Sequence, residues 1–246
     1  MKLTAQIYLL ASGSLGTGMS HSLDCNVYGI DCGEEFVLID AGAGVEAQAI
    51  VDNLVADGIE LERVRRLLLT HGHLDHSGGS RYLRDRLQLR VHASSETARA
   101  LEAGDEQAIS LDKAKAAGGY PLDLRFVSCP VDQRVCADET ISFAECEIQV
   151  LATPGHSHDM LSFLLRTRDS ISLFSGDTLF SGGRILLSTV YDCNVGDYVS
   201  SLRRLERLEF DGLFPGHGLW SVKGGSKHMK KATDALHRLL LPPNFI

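Results

Sequence analysis

The order of segments along this 246-residue chain predicts an α+β fold, two packed β-sheets with helices on the outside. Three observations carry that reading. Strand-like runs come first, a strand–helix alternation follows, and strand-like runs return, whereas a doubly wound sheet would alternate without a break. The strand-like runs are short and bounded by Gly, Pro, Asp or Asn. Apolar residues make up 44% of the chain. That is enough at this length to bury a real core, so residues 1–246 read as a single domain.

Taken in order, Tyr8-Leu9-Leu10 reads as a first strand. Residues 26–30 and 36–39 read as the two strands of a hairpin, and the second leaves through Asp40-Ala41-Gly42. Residues 45–56 repeat Ala, Ile, Leu and Val at helical spacing until Gly58. Residues 66–69 form a short buried strand that runs into Thr70-His71, residues 80–87 a helix, and residues 89–92 a return strand. The stretch 94–119 is polar and helical, does not read as core, and is taken as an insertion able to cover a site. Strands are expected at 125–128, 141–143, 147–151, 161–165 and 171–174. A helix is expected at 196–208 with Val199, Leu202 and Leu205 on its apolar face, then a last strand at 212–214 and a last helix at 227–240. The two halves share a loose rhythm without a strong internal repeat.

A formal charge of -8 argues against a polynucleotide partner, because a phosphate backbone calls for concentrated Lys and Arg. No apolar run approaches the roughly 20 residues that span a bilayer. The run from Ile7 to Ala11 is too short for a secretory h-region and follows Gln6. Six cysteines without a C-x-x-C pair, in a chain large enough not to need disulfides, are read as free thiols of a cytoplasmic protein.

The chemistry is concentrated in Thr70-His71-Gly72-His73-Leu74-Asp75-His76. The run follows a buried strand, where a loop can carry a site on a rigid scaffold. Imidazole and carboxylate are ligands that borderline divalent metals accept. A merely solvated loop is a poor explanation, since histidines at this density repel one another once protonated. Gly72 lets the backbone turn between ligands, and Gly78-Gly79 lets a helix start close by. Three further strand exits each carry one donor: Thr153-Pro-Gly-His156, Ser175-Gly-Asp177 and Phe214-Pro-Gly-His217. In two of them Pro and Gly fix the turn ahead of the ligand. Together these residues make seven N/O donors, enough for two metal ions.

The pattern His71-x-His73-x-Asp75-His76, then His156, Asp177 and His217, resembles the metallo-β-lactamase-fold hydrolases, and within them the glyoxalase II-like enzymes. Asp40-Ala-Gly42 and Gly176-Asp-Thr-Leu-Phe180 strengthen the likeness, which spans nearly the whole chain. The resemblance implies a four-layer αββα sandwich of two mixed β-sheets with helices on both outer faces. It implies that His71, His73 and His156 hold one metal and that Asp75, His76 and His217 hold the other. Asp177 would bridge them with a hydroxide, and Asp40 would orient a histidine through its second ring nitrogen. Zinc is the default metal for such a set, and iron and manganese are compatible with it. Asp75 would orient the nucleophile and move its proton.

The implied activity is metal-dependent hydrolysis of an ester-like bond (thioester, lactone or similar) in a small molecule. The sequence departs from the family at Ser157-His158-Asp159-Met160, where His158 and Asp159 face either substrate or solvent. Only a short helix with Lys227, Lys230 and Lys231 follows His217, which disfavours a glutathione-gripping domain, and those lysines read as a solvated face. Tyr191 is either a packing residue or one that reaches a substrate oxygen. Two other readings stay open: a mononuclear-iron persulfide dioxygenase and a metal-binding module without catalysis.

Overall fold

The computed structural model describes residues 1–188 and 190–246. The chain divides into two compact units, Met1–Val135 and Cys136–Ile246.

The first unit is built on a six-stranded sheet in the order β1-β2-β3-β4-β5-β6. Its strands are β1 (Ile7–Ala11), β2 (Val27–Asp31), β3 (Phe36–Ile39), β4 (Val64–Leu68), β5 (Arg90–Ala93) and β6 (Gln133–Arg134). The first three pair antiparallel, and β3 to β6 pair parallel. Every residue of β1 and β3 is buried, as expected of strands covered on both faces. The parallel crossovers carry α1 (Gln48–Ala56), α2 (Leu74–Ser77), α3 (Ser80–Leu87), α4 (Ser95–Ala103) and α5 (Leu111–Ala116). Leu67 and Leu69 point into the core with Ile50, Leu54, Leu74, Leu83 and Val91. Each fully buried Leu contributes about 1.5–3 kcal/mol relative to exposure.

The second unit holds a five-stranded sheet in the order β11-β10-β9-β8-β7. Its elements are β7 (Thr140–Ser142), β8 (Cys146–Ala152), β9 (Leu161–Thr167), β10 (Ile171–Gly176), α6 (Val195–Leu205), β11 (Gly212–Pro215) and α7 (Gly225–His237). Strands β7 to β10 pair antiparallel, and β11 joins β10 in parallel. Leu164, Leu173 and Leu213 pack with Tyr198, Leu202 and Leu205 of α6 and Met229 of α7. Both sheets are therefore mixed, as expected.

Two expectations fail. Residues 125–128 form no strand, although Phe126 and Cys129 are buried; the edge pairing lies further on, at the exposed Gln133–Arg134. The stretch 94–119 is mostly exposed but not wholly outside the core, because Ala98, Ala100, Leu101, Ile109 and Leu111 are buried in the first unit. Small alanines let α4 lie close to β5 without an obvious apolar stripe in the sequence. Its second half is pinned by Glu106, which accepts from Lys115 Nζ at 2.6 Å and from the Phe126 amide at 3.2 Å. The Lys115 hydrogen bond holds the Glu106 carboxyl below its usual range.

Candidate metal centre

The first unit places four expected donors on one loop and helix. Strand β4 ends at Leu68, Leu69 is fully buried, and the chain then delivers Thr70, His71 and His73 before α2 presents Asp75 and His76. The His71 ring centroid lies 4.6 Å from that of His73 and 4.2 Å from that of His76. His76 Nε2 is 3.6 Å from an Asp75 carboxylate oxygen. Ser77 Oγ clamps the turn by donating to the Gly72 carbonyl at 2.7 Å.

Gly78 and Gly79 allow the close approach expected of them. A Cβ on Gly79 would sit 2.1 Å from the Ala41 carbonyl oxygen, and one on Gly78 would sit 2.3 Å from that of Ala43. That proximity lets the Ala41 amide donate to the His76 carbonyl at 2.7 Å, tying the Asp40 turn to the ligand helix. Gly72 serves a different purpose from the one its sequence suggested. It has no positive φ; a Cβ there would press within 3.0 Å of the Ile109 side chain.

Asp40 organises this half. It has φ 63°, a left-handed conformation that Asp tolerates better than most residues. Its carboxylate accepts from the Thr70 amide at 2.8 Å and the Thr70 hydroxyl at 2.9 Å. It lies 2.8 Å from His76 Nδ1. A carboxylate only accepts, so His76 carries its proton on Nδ1 and leaves the Nε2 lone pair for a metal. The Thr70 hydroxyl spends its one proton on Asp40. His71 Nδ1, 3.0 Å away, therefore donates to Thr70 Oγ1, and His71 too presents an Nε2 lone pair. One buried carboxylate thus sets two tautomers. The role of Thr70 was invisible in the sequence, where it reads only as a strand end.

Cys25 lies beneath His76, its donor atom within 4.8 Å of donors on Asp40 and His76. Burial pushes its thiol up to about 12, so it supports His76 as a neutral group. Metals bind thiolates. Burial likewise raises the Asp24 carboxyl, against the lowering effect of the Ala43 amide that donates to it at 2.8 Å.

The second unit gathers the other three expected donors. His156 follows β8, Asp177 follows β10 and His217 follows β11. All three are almost completely buried. One oxygen of Asp177, Oδ2, lies 3.5 Å from His156 Nε2 and 3.4 Å from His217 Nε2. These separations exceed the usual 2.7–3.2 Å of an N–H···O hydrogen bond. They match the ~3.3 Å between neighbouring donors on a tetrahedral ion with bonds of about 2.0–2.1 Å. His156 Nδ1 donates to the Leu186 carbonyl at 2.9 Å, which again leaves Nε2 for a metal. The donor chemistry and spacing of both halves therefore fit divalent metal ions.

Tyr198 ties this half together and was not singled out from sequence, where it shares a helical face with ordinary core residues. Its hydroxyl donates to the Asp177 carbonyl and accepts from the Leu186 amide at 3.0 Å. Gly155 is required beside it, because φ is 145° there and a Cβ would fall 2.5 Å from Tyr198 Cα. Tyr198→Phe should leave the buried Leu186 amide unpaired, at a cost of about 1–3 kcal/mol. Zinc affinity should fall along with thermal stability, as chelator competition and a melting curve would show. Unchanged values for both would refute the link.

His158 and Tyr191 are exposed and meet edge to face, with ring centroids 5.9 Å apart, so Tyr191 packs on His158 at the surface rather than in the core. Asp159 accepts from Ser157 Oγ at 2.9 Å, which stabilises the turn after His156. Lys230 pairs with Asp234 on the exposed face of α7. Among the described residues, no helix is long and apolar enough to cross a membrane.

The architecture is that of metallo-β-lactamases. It is similar to a Cronobacter sakazakii metallo-β-lactamase with a HARLDQ motif, with a TM-score of 0.73 at 18% identity over 97% of this chain and 96% of that one. BJP-1, a subclass B3 metallo-β-lactamase of Bradyrhizobium japonicum, gives a TM-score of 0.70 at 20% identity over 95% and 92%. At such identities the likeness speaks for the fold alone. The model of the metallo-beta-lactamase superfamily matches residues 23–217, and the chain belongs to that superfamily. It is 29% identical over 194 residues to an atrochrysone carboxyl ACP thioesterase of Aspergillus fumigatus, covering 78% of this chain and 50% of that protein. It is also 29% identical over 193 residues to a hydroxyacylglutathione hydrolase of Chromohalobacter salexigens, covering 76% and 58%. The chain spans about half the length of the curated relatives it matches.

Proposed function

We propose that this chain is a binuclear metal-dependent hydrolase of small-molecule ester-like bonds, with thioesters as the first class to test. Residues 1–246 would work as one domain. The observation that carries the reading is the state of the donors. His71, His76 and His156 each have Nδ1 committed to an acceptor inside their own unit, so all three offer Nε2 to a metal. An Asp177 oxygen stands at ligand spacing from two imidazoles. A purely structural site needs four ligands, and seven donors exceed that. Relatives named as a thioesterase and a hydroxyacylglutathione hydrolase support the substrate class.

In this reading His71, His73 and His156 would hold one ion and Asp75, His76 and His217 the other, with Asp177 available to both. When bound, the ions supply a water deprotonated near neutral pH and a Lewis acid for the carbonyl oxygen. The partly exposed Asp75 carboxylate would orient the hydroxide and, once its oxygen has added to the carbonyl carbon, take up the proton that oxygen still carries. As the carbon–sulfur or carbon–oxygen bond breaks, Asp75 returns that proton to the leaving group. Asp40 and Thr70 keep the His71 and His76 protons on Nδ1 throughout, so neither imidazole turns over its ligand nitrogen.

The test is a panel of acyl thioesters, lactones and phosphodiesters with zinc-, manganese- and iron-loaded protein, run beside oxygen uptake with a persulfide. Thioester or lactone turnover without oxygen uptake is expected. Oxygen uptake on the iron form, or metal binding without any turnover, would overturn the hydrolase reading.

A further inference from the structure

Within the second unit, the segment after α7 packs on the supports of two metal-ligand candidates. Ile185 forms a parallel bridge to Asn244. The Phe245 amide donates to the Ile185 carbonyl at 2.7 Å, and the Ile185 amide donates to the Pro243 carbonyl at 3.0 Å. The Asn244 side chain closes a two-way pair with the next backbone unit. Its Oδ1 accepts from the Leu187 amide at 2.9 Å, and its Nδ2 donates to the Leu187 carbonyl at 3.1 Å. Between Ile185 and Leu187 lies Leu186, whose carbonyl receives the His156 Nδ1 proton.

The Phe245 ring does the same for the other imidazole. It stacks on Phe180 with centroids 4.5 Å apart, and the fully buried Phe180 faces the His217 ring at 6.5 Å with the planes inclined by 22°. Phe245 also sits against the backbone beside that ligand, since a Cβ on Gly218 would come within 3.0 Å of its ring. Asn244 and Ile246 are exposed, whereas Pro242 is buried and Phe245 half-buried, so the segment docks through the Asn244 hydrogen bonds as well as through apolar contact.

We infer that Asn244 and Phe245 are positioning residues for the metal centre: Asn244 fixes the carbonyl that orients His156, and Phe245 fixes the ring that backs His217. The inference rests on the metal-centre reading above and adds a strap to it. Groups that hydrogen-bond a ligand directly typically change metal affinity about 10–100-fold when removed, and Asn244 and Phe245 act one contact further out.

The experiment uses the full chain and zinc alone, with affinity measured by competition against a chromophoric chelator and the melting temperature of the metal-free protein measured alongside. Asn244→Ala and Phe245→Ala should each weaken zinc binding several-fold, less than the ~10–100-fold of a direct ligand partner. Phe245→Tyr should restore it by keeping the stacked ring, and Ile246→Ala should match the parent. Because Asn244 is exposed, its variant should melt close to the parent when metal-free, which separates positioning from loss of fold. Parent-like zinc affinity in both Asn244→Ala and Phe245→Ala would overturn the strap while leaving the metal centre intact. A parent protein that binds no zinc would overturn both.

Discussion

Asp177→Ala should remove at least one metal ion per chain and lower kcat/KM by about three orders of magnitude or more, ~4 kcal/mol of transition-state stabilisation. The size follows from position. Asp177 places a single carboxylate oxygen 3.5 Å from His156 Nε2 and 3.4 Å from His217 Nε2. It is the one anionic donor among the three in its unit. Alanine leaves two neutral imidazoles with nothing to balance a dication. The fold should survive, because the backbone at this position is held independently: the Asp177 carbonyl still accepts from Tyr198. Metal analysis and a steady-state assay on the same preparation check this, with circular dichroism as the control. Parent metal content together with parent turnover would refute the bridging role.

Asp40→Asn should produce the next largest effect with almost no change in shape. The amide can still accept one hydrogen bond from Thr70, and Asn is tolerated at φ 63°. It cannot accept on both arms. An NH2 group facing His76 Nδ1 forces the imidazole proton to Nε2, the nitrogen the metal needs. Zinc affinity should fall about 10–100-fold, while the melting temperature of the metal-free protein shifts far less than with Asp40→Ala. Alanine would leave the buried Thr70 amide unpaired, at about 1–3 kcal/mol. Parent zinc affinity in Asp40→Asn would show that the tautomer of His76 is not set by this carboxylate.

Asp177 and Asp40 are both legible in the sequence, Asp177 as a donor and Asp40 through the family resemblance. The seven donors stand at strand exits, where Gly and Pro break the pattern of apolar runs, and a carboxylate or imidazole there is conspicuous. Within each unit the structure brings its share of them together. The other supporting groups carry no such mark. Thr70 looks like the last residue of a strand, Tyr198 like one more face residue of α6, and the Leu186 carbonyl has no side-chain signature at all. Their roles depend on which backbone atoms the fold brings beside them.

The same limit explains the misread segments. Ala98 and Ala100 bury surface through closeness rather than bulk, so the 94–119 stretch looked solvated. Residues 125–128 alternate like a strand, yet only Phe126 among them is buried, and the partner of β5 is the polar pair Gln133–Arg134. An edge strand of two exposed residues leaves no hydrophobic pattern to read.

The most direct test of the binuclear hydrolase is a metal titration. Metal-free protein would be titrated with zinc while bound metal and turnover of an acyl thioester are followed together. Two ions should bind per chain, with turnover reaching its plateau at the second equivalent. Saturation at one ion, or turnover that does not depend on added metal, would contradict it.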